Sequence, residues 1–320
     1  MEKLFNPGSV AVIGASEVPG KAAERRTRSL LEGGYRGQVF LINPKRKELF
    51  GRRSYSSILE VDGNVDLVMI FVPPRFVLPA VSESVRKGAK GIIIITAGLG
   101  EIGESGKEIE KKILEETVRS GSIIVGPNCS GMFCGSAGIN MLGIPGIEKG
   151  GISVLAQSGN VIDSLTHYAQ KRSLGFSKII SLGNAIGAEL HEYLQYLGED
   201  HETQVIISYL ESIKNGHALI QAARETSQIK PVIVLKVGRF GAGIRTAASH
   251  TGALAADDLV VDAAFRQAGI IRVANIDEMF DLAEIFCNSP VPTGKRVAIL
   301  SEGGGDNSIS ADNAESYGIE

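Results

Sequence analysis

SVAVIGASEVPGK, residues 9–21, is a short apolar run that opens into a glycine turn and then a helical segment reaching about Glu32. Strand, turn and helix N-terminus in that order aim backbone N–H groups and the positive end of a helix dipole at an anion, usually a phosphate. GASEVPG matches GxGxxG only in part, so the motif by itself does not name the ligand. Repetition of the same unit decides the fold. QVFLINPKRK (38–47), DLVMIFV (66–72), GIIIIT (91–96) and SIIVGPN (122–128) are four further apolar runs. FVLPAVSESVRKG and GESGKEIEKKILEETVRSG read as helices between them, the second with a charged outer face. Alternating strands and helices imply a parallel sheet whose ligands sit at the carboxyl ends of the strands.

A connector containing INMLGIPGIEKGG leads into a second alternating series. ISVLA opens into QSGNVIDSLTHYAQK, followed by KIISLG, a helix from near Ala188, VIISYLE, a helix from about Asn215 and VIVLK. A loop around His250, a helix to about Ala268, IIRV and a helix through Phe286 complete it. Five strands with intervening helices make a flavodoxin-like doubly wound unit. After the linker PVPTGK, RVAILSEGGGDNSISADNAESYGIE starts again as strand, glycine loop and helix. One such unit cannot bury its own apolar face, so this end is expected to begin a third α/β domain completed elsewhere. The expected division is 1–145, 146–290 and 291–320.

The end of the second strand bears on the ligand. A NAD-binding unit places an acid there to hold the ribose hydroxyls, whereas this chain has Asn43, Pro44, Lys45 and Arg46. A basic end suits a nucleotide with a phosphorylated ribose, NADP or coenzyme A; a solvated basic cluster is the alternative. The loops after the later strands add rigid prolines with Arg75, and the small groups Thr96, Ala97 and Gly98.

In the second series, Gln157, Ser158, Gly159 and Asn160 stand at a helix start and form either a second phosphate cradle or an ordinary cap. AGIRTAASHTGALAADD, residues 242–258, follows a buried strand and surrounds His250 with small residues. Those neighbours leave room for a bulky group to reach the imidazole, although a lone histidine more often packs or caps a helix. Glu211, at the carboxyl end of VIISYLE, lies on the same expected sheet edge. It would fix an imidazole tautomer there, or cap the next helix. His167, His191 and His217 fall in expected helices and His201 in an acidic turn.

The totals exclude several classes. A net charge of -3 with both signs dispersed does not suggest a nucleic acid or an anionic membrane. No apolar run approaches the ~20 residues of a membrane span, and MEKLFNPGSV lacks the regions of a signal peptide, so a soluble cytoplasmic protein is expected. Cys129, Cys134 and Cys287 form no CxxC pair, which argues against a zinc site or disulfides and leaves no metal ligands to assign.

In order, SVAVIGAS, INPKR, the VP loop, TAGLGEIG, GPNCSG, LAQSG, ISLGN, YLESIK, VLKVGR, AASHTGALA and FRQAGIIRV resemble the NDP-forming acyl-CoA synthetases, relatives of succinyl-CoA synthetase. The likeness covers essentially the whole chain. It implies a Rossmann-like CoA-binding domain, then a flavodoxin-like ligase domain and the start of a third ligase domain. It also implies a reversible reaction: acyl-CoA, nucleoside diphosphate and phosphate give carboxylic acid, CoA and nucleoside triphosphate, through an acyl phosphate and a phosphohistidine. By similarity His250 is the nucleophile, Glu211 orients its ring, and Gln157, Ser158 and Gly159 bind the phosphoryl oxygens. Gly304, Gly305, Asn307 and Ser308 resemble the loop of an opposing phosphate-binding helix, while Glu302 and Asp306 depart from that pattern. CoA is expected along Gly14, Ala15, Ser16, Pro44, Lys45, Val72, Pro73, Pro74, Arg75, Thr96, Ala97, Gly98 and Asn128. Nothing in the chain resembles an ATP-grasp nucleotide domain. ADP or ATP with Mg²⁺ is therefore expected on a partner subunit or fused domain, in an oligomer. The alternatives are a non-catalytic acyl-CoA-binding regulatory module, against which His250 and Glu211 argue, and an NADP-dependent oxidoreductase, for which no hydride-transfer constellation is evident.

Overall fold

The computed structural model describes residues 1–241, 257–290 and 293–320, so His250 and the rest of its loop lie outside the described residues. Two compact units are distinguished, Met1–Cys287 and Asn288–Glu320.

The larger unit holds two sheets. In the first, β1 (Ser9–Ile13) is fully buried and lies between β2 (Gln38–Ile42) and β5 (Leu67–Ile70), parallel to both. Next to β5 run β6 (Gly91–Ile94) and β7 (Ile123–Val125), also parallel. Beyond β2 lie β4 (Arg52–Tyr55), parallel, and β3 (Glu48–Leu49), antiparallel, two short strands that the sequence pattern did not announce. The order β3-β4-β2-β1-β5-β6-β7 reverses direction at β1. A parallel sheet binds its ligand at such a switch point, outside the carboxyl ends of the strands.

The second sheet is built the same way around β10 (Lys149–Ala156). On one side is β11 (Phe176–Ser181); on the other are β12 (Val205–Leu210), β13 (Val232–Lys236) and β14 (Ile271–Arg272), all parallel. This is the flavodoxin-like arrangement expected from the alternation. Two antiparallel strands, β8 (Met132–Cys134) and β9 (Ile139–Asn140), extend the sheet beyond β11, so the chain already enters the second sheet at Met132.

What joins the sheets also positions the site. The loop after β11 runs along the β7 edge of the first sheet. Asn184, Ile186 and Ala188 donate backbone N–H groups to the carbonyls of Pro127, Gly126 and Ile124 at 2.8, 3.2 and 3.3 Å. Alternate residues bonding in this way pair an edge that would otherwise be exposed. Gly187 is required there, because a Cβ would come within 2.7 Å of the Ile124 carbonyl oxygen. One hydrophobic cluster runs across the junction, including Val12, Met69 and Val125 from the first sheet and Leu155 and Ile180 from the second. The carboxyl ends of both sets of strands are thereby drawn together.

In the smaller unit a helix spans Gly304–Ser316 with no buried residues. RVAIL, expected as a strand, carries no strand assignment. Val297 N–H instead bonds the Glu320 carbonyl at 2.7 Å. A strand needs a ladder of partners, whereas among the described residues of this unit Glu320 alone pairs here, its N–H also reaching the Lys295 carbonyl at 2.6 Å.

Candidate active site

At the β1 switch point Gly14 has φ +84°, and a Cβ there would meet the carbonyl carbon of Phe71 at 3.1 Å. Only glycine adopts that turn without strain. The next carbonyl, of Ala15, accepts a 2.9 Å bond from Asn43 Nδ2, and Asn43 Oδ1 accepts the Lys45 N–H at 2.9 Å. Asn43 therefore fixes the β1 and β2 loops against each other. Between them opens a cavity of about 450 Å³ lined by Ser16, Lys21, Asn43, Lys45, Arg46 and Glu17, among others. Three cations against one acid suit an anionic ligand. Lys21 and Arg46 join the expected Lys45: Arg46 was visible in the basic strand end, whereas Lys21, which precedes the helix Ala22–Glu32, becomes a lining residue only through the fold.

The other loops of this edge are also tied together. Thr96 Oγ1 donates to the Val72 carbonyl at 2.7 Å, and Asn128 N–H to the Thr96 carbonyl at 3.0 Å. Pro74 packs at Gly98, whose φ is +88° and which would bring a Cβ to 3.1 Å from Pro74 Cγ. Arg75 lies over the Phe76 ring at 4.8 Å.

A second cleft, of about 270 Å³, is shared by the two sheet edges. Gly100, Glu101 and Asn128 line it from the first; Gln157, Asn184, Glu211 and Lys214 line it from the second. Glu211 and Gln157 are thus brought to the same space as Asn128. Asn184 is the hub. Its Nδ2 donates to Glu101 Oε2 at 2.9 Å and Glu110 Oε1 at 2.7 Å, while Oδ1 accepts from Asn128 Nδ2 at 3.3 Å. Burial pushes the Glu101 carboxyl up, but the Asn184 amide and the Gly98 and Leu99 N–H groups outweigh it and hold it below its usual range. Burial lowers the Lys214 ammonium, which donates to the Asn184 and Ala185 carbonyls at 2.7 and 2.9 Å. None of Asn184, Glu110 or Lys214 was singled out from sequence. The signal for Asn184 was its place in ISLGN.

Gln157 follows β10 directly. Its Oε1 accepts the N–H groups of Glu211 and Ser212 at 2.6 and 2.9 Å, and its Nε2 donates to the Ser212 carbonyl at 2.9 Å. Ser158 is the N-cap of α5 (Gly159–Lys171) and makes no side-chain cap bond, so the helix start is not closed by its own cap. A Cβ on Gly159 would overlap Ser130 Oγ, so glycine lets this helix end approach the GPNCSG loop. Behind the cleft, Lys236 donates to the Glu211 and Val237 carbonyls at 3.0 and 2.5 Å, its pKa lowered by burial. In the smaller unit, Asn307 Oδ1 lies 2.9 Å and the Gly303 carbonyl 2.8 Å from Ser301 Oγ, and Ser308 Oγ donates to the Gly304 carbonyl at 3.0 Å. Asp306 occupies the first turn of its helix, where a carboxylate already meets the dipole.

Comparison with known proteins adds to this geometry. Residues 8–134 match the family model of a CoA binding domain, and residues 149–286 that of a succinyl-CoA ligase like flavodoxin domain. The chain is 39% identical over its whole length to the alpha subunit of ADP-forming acetate–CoA ligase II of Pyrococcus furiosus, covering 70% of that subunit. The chain belongs to the NDP-forming acyl-CoA synthetases. Among solved members, the dinucleotide-forming acetyl-coenzyme A synthetase 1 of Ca. Korarchaeum cryptofilum, in complex with phosphate and ADP, superposes with a TM-score of 0.93 at 34% identity. That match covers 99% of this chain and 69% of the other. The ADP-forming acetate–CoA ligase of Methanocaldococcus jannaschii is 36% identical, and the chain spans 45% of its length. Family membership accounts for the two α/β modules and their order. Among the described residues no helix is long and apolar enough to cross a membrane.

Proposed function

We propose that this chain is the CoA-binding and phosphohistidine-bearing part of an ADP-forming acid–CoA ligase, with residues 1–145 and 146–290 as its two modules and 291–320 opening a third. The observation that carries the proposal is the shared cleft: the loop after β6 at Gly100 and Glu101, the loop after β7 at the expected CoA residue Asn128, and the loop bearing Glu211 line one space of about 270 Å³. CoA lies along Gly14 to Ser16, Lys45, the Val72 to Arg75 loop and Thr96 to Gly98, with Lys45 meeting a phosphate and the thioester reaching Asn128. Phosphate attacks the thioester carbonyl, expelling the CoA thiolate and forming an acyl phosphate. A neutral His250 imidazole then takes the phosphoryl group, and the carboxylate leaves. The phosphohistidine passes that group to ADP, giving ATP and free histidine.

Splitting the transfer in this way lets the two halves occur in separate places. Glu211 orients the imidazole by accepting its other N–H. The start of α5, with Ser158 and Gly159, stabilises the phosphoryl oxygens through backbone N–H groups and the helix dipole. Gly304, Gly305, Asn307 and Ser308 are the corresponding group of the third module. Nucleotide and Mg²⁺ bind an ATP-grasp subunit or fused domain, by analogy with relatives that are named alpha subunits. The acid is a small carboxylic acid, the site of action cytoplasmic and the assembly oligomeric.

Two columns and one assay test the proposal. The chain is expected to be retained on immobilised CoA and not on immobilised NADP. It is expected to form ATP from acetyl-CoA, ADP and phosphate only after an ATP-grasp subunit is added. Retention on NADP alone would favour an oxidoreductase, and full turnover by the isolated chain would refute the division of labour.

A further inference from the structure

The three bonds of the Gln157 amide form a clamp across two strands. Backbone pairing between β10 and β12 ends at Ala156 beside Tyr209, and the Gln157 N–H then reaches the Tyr209 carbonyl at 3.2 Å. From there the side chain takes over from the backbone. Oε1 receives the Glu211 and Ser212 N–H groups, and Nε2 returns a bond to the Ser212 carbonyl. Both polar backbone groups of Ser212 and the N–H of Glu211 are thus satisfied by one residue, 54 and 55 positions earlier in the chain. The same residue immediately precedes Ser158, the N-cap of α5.

We propose that Gln157 is a positioning residue, which sets the Glu211 carboxylate against the α5 N-terminus and acts on the reaction through Glu211. This inference rests on the ligase function proposed above and departs from the role that the resemblance implies for Gln157: its side chain serves the loop, and phosphate is held by the helix backbone. Three bonds at 2.6 to 2.9 Å fix a turn more firmly than one, because breaking any of them leaves a partly buried backbone group unpaired. Asparagine, one methylene shorter, cannot span the same distance from the β10 end. Glutamate keeps the acceptor but sets an oxygen against the Ser212 carbonyl where Nε2 now donates. Each substitution therefore disturbs a different part of the clamp.

The test is a double-mutant cycle on phosphoryl labelling of the full chain, with acetyl-CoA and radiolabelled phosphate, in the presence of an ATP-grasp subunit. CoA binding and thermal midpoint are measured on each variant to show that it is folded. Gln157→Ala is expected to slow labelling about 10²-fold, the scale of an ångström-sized misplacement. Gln157→Ala combined with Glu211→Gln is expected to be no slower than Glu211→Gln alone, and the pH profile of Gln157→Ala to move toward that of Glu211→Gln. Gln157→Glu, keeping two of the three bonds, is expected to retain more activity than Gln157→Ala. Additive losses in the double variant would overturn the proposal, as would a raised phosphate requirement with an unmoved pH profile, since both mark a direct phosphate ligand. Absence of label from the wild type would instead count against the ligase function itself, so the two failures are distinguishable.

Discussion

Gly14 shows how much of the ligand site rests on one backbone angle. Its φ of +84° and the 3.1 Å approach of Phe71 to a would-be Cβ leave no comfortable place for a side chain. Gly14→Ala is expected to cost about 1–3 kcal/mol and to weaken CoA binding about tenfold, as strain at the β1 turn shifts Ala15 away from Asn43. Denaturant titration and CoA titration check both; unchanged CoA affinity would mean that this turn is not part of the CoA site. The glycine was readable from sequence, as was the basic end of β2, because both signals are local. The sequence also marks Gln157, by resemblance, as a phosphate ligand. Its actual hydrogen-bond partners follow β12, too far along the chain for spacing to reveal. Asn43 likewise read as part of a basic strand end, and its role in joining two loops needed the third dimension.

Among the elements, β11 and the helix Leu190–Glu199 meet around a buried ion pair. Lys178 is 2% exposed; its Nζ lies 2.7 Å from Asp200 and 3.1 Å from Glu202. Burial raises the Asp200 carboxyl, but Lys178 and the Thr203 hydroxyl together hold it below its usual value. Burial lowers the Lys178 ammonium, and its acidic partners outweigh that and raise it. The Asp200 contribution to stability is therefore present above the unfolded carboxylate pKa of about 4 and lost as pH falls through its lower folded value. The Lys178 contribution is complete below about 10.4 and lost as pH rises through its higher folded value. Asp200→Asn is expected to destabilise by about 3 kcal/mol at neutral pH, since it strips the main partner from a buried cation. The gap from wild type should close as pH falls below about 4, a trend that urea unfolding at several pH values can read. At this scale the long apolar strands were legible. β8 and β9, of three and two residues, were not, because so short a stretch carries no alternation to recognise. RVAIL misled in the opposite sense: its composition suits a strand, but a strand also needs a ladder of partners.

Across the whole molecule, two sheets become one site because the loop after β11 pairs with the edge of β7 and Asn184 bonds both sides. The alternation of strands and helices announced each sheet; nothing in it announced their mating, because the joining segment reads as an ordinary loop. Asn184→Ala would leave Glu101 and Glu110 without their shared donor. It is expected to cost about 1–3 kcal/mol, to leave CoA affinity within about twofold, and to slow phosphoryl labelling. Equal losses in CoA binding and labelling would instead place Asn184 in the CoA site proper. The central claim is that a thioester held by the first sheet delivers phosphate, as an acyl phosphate, to a histidine carried by the second. Phosphoryl labelling tests it most directly: the chain, alone and with an ATP-grasp subunit, is incubated with acetyl-CoA and radiolabelled phosphate beside His250→Asn and Glu211→Gln variants. Acid-labile, base-stable label is expected on the wild type, absent from His250→Asn and strongly reduced in Glu211→Gln. Label that persists in His250→Asn, or no label on the wild type even with the ATP-grasp subunit present, would contradict it.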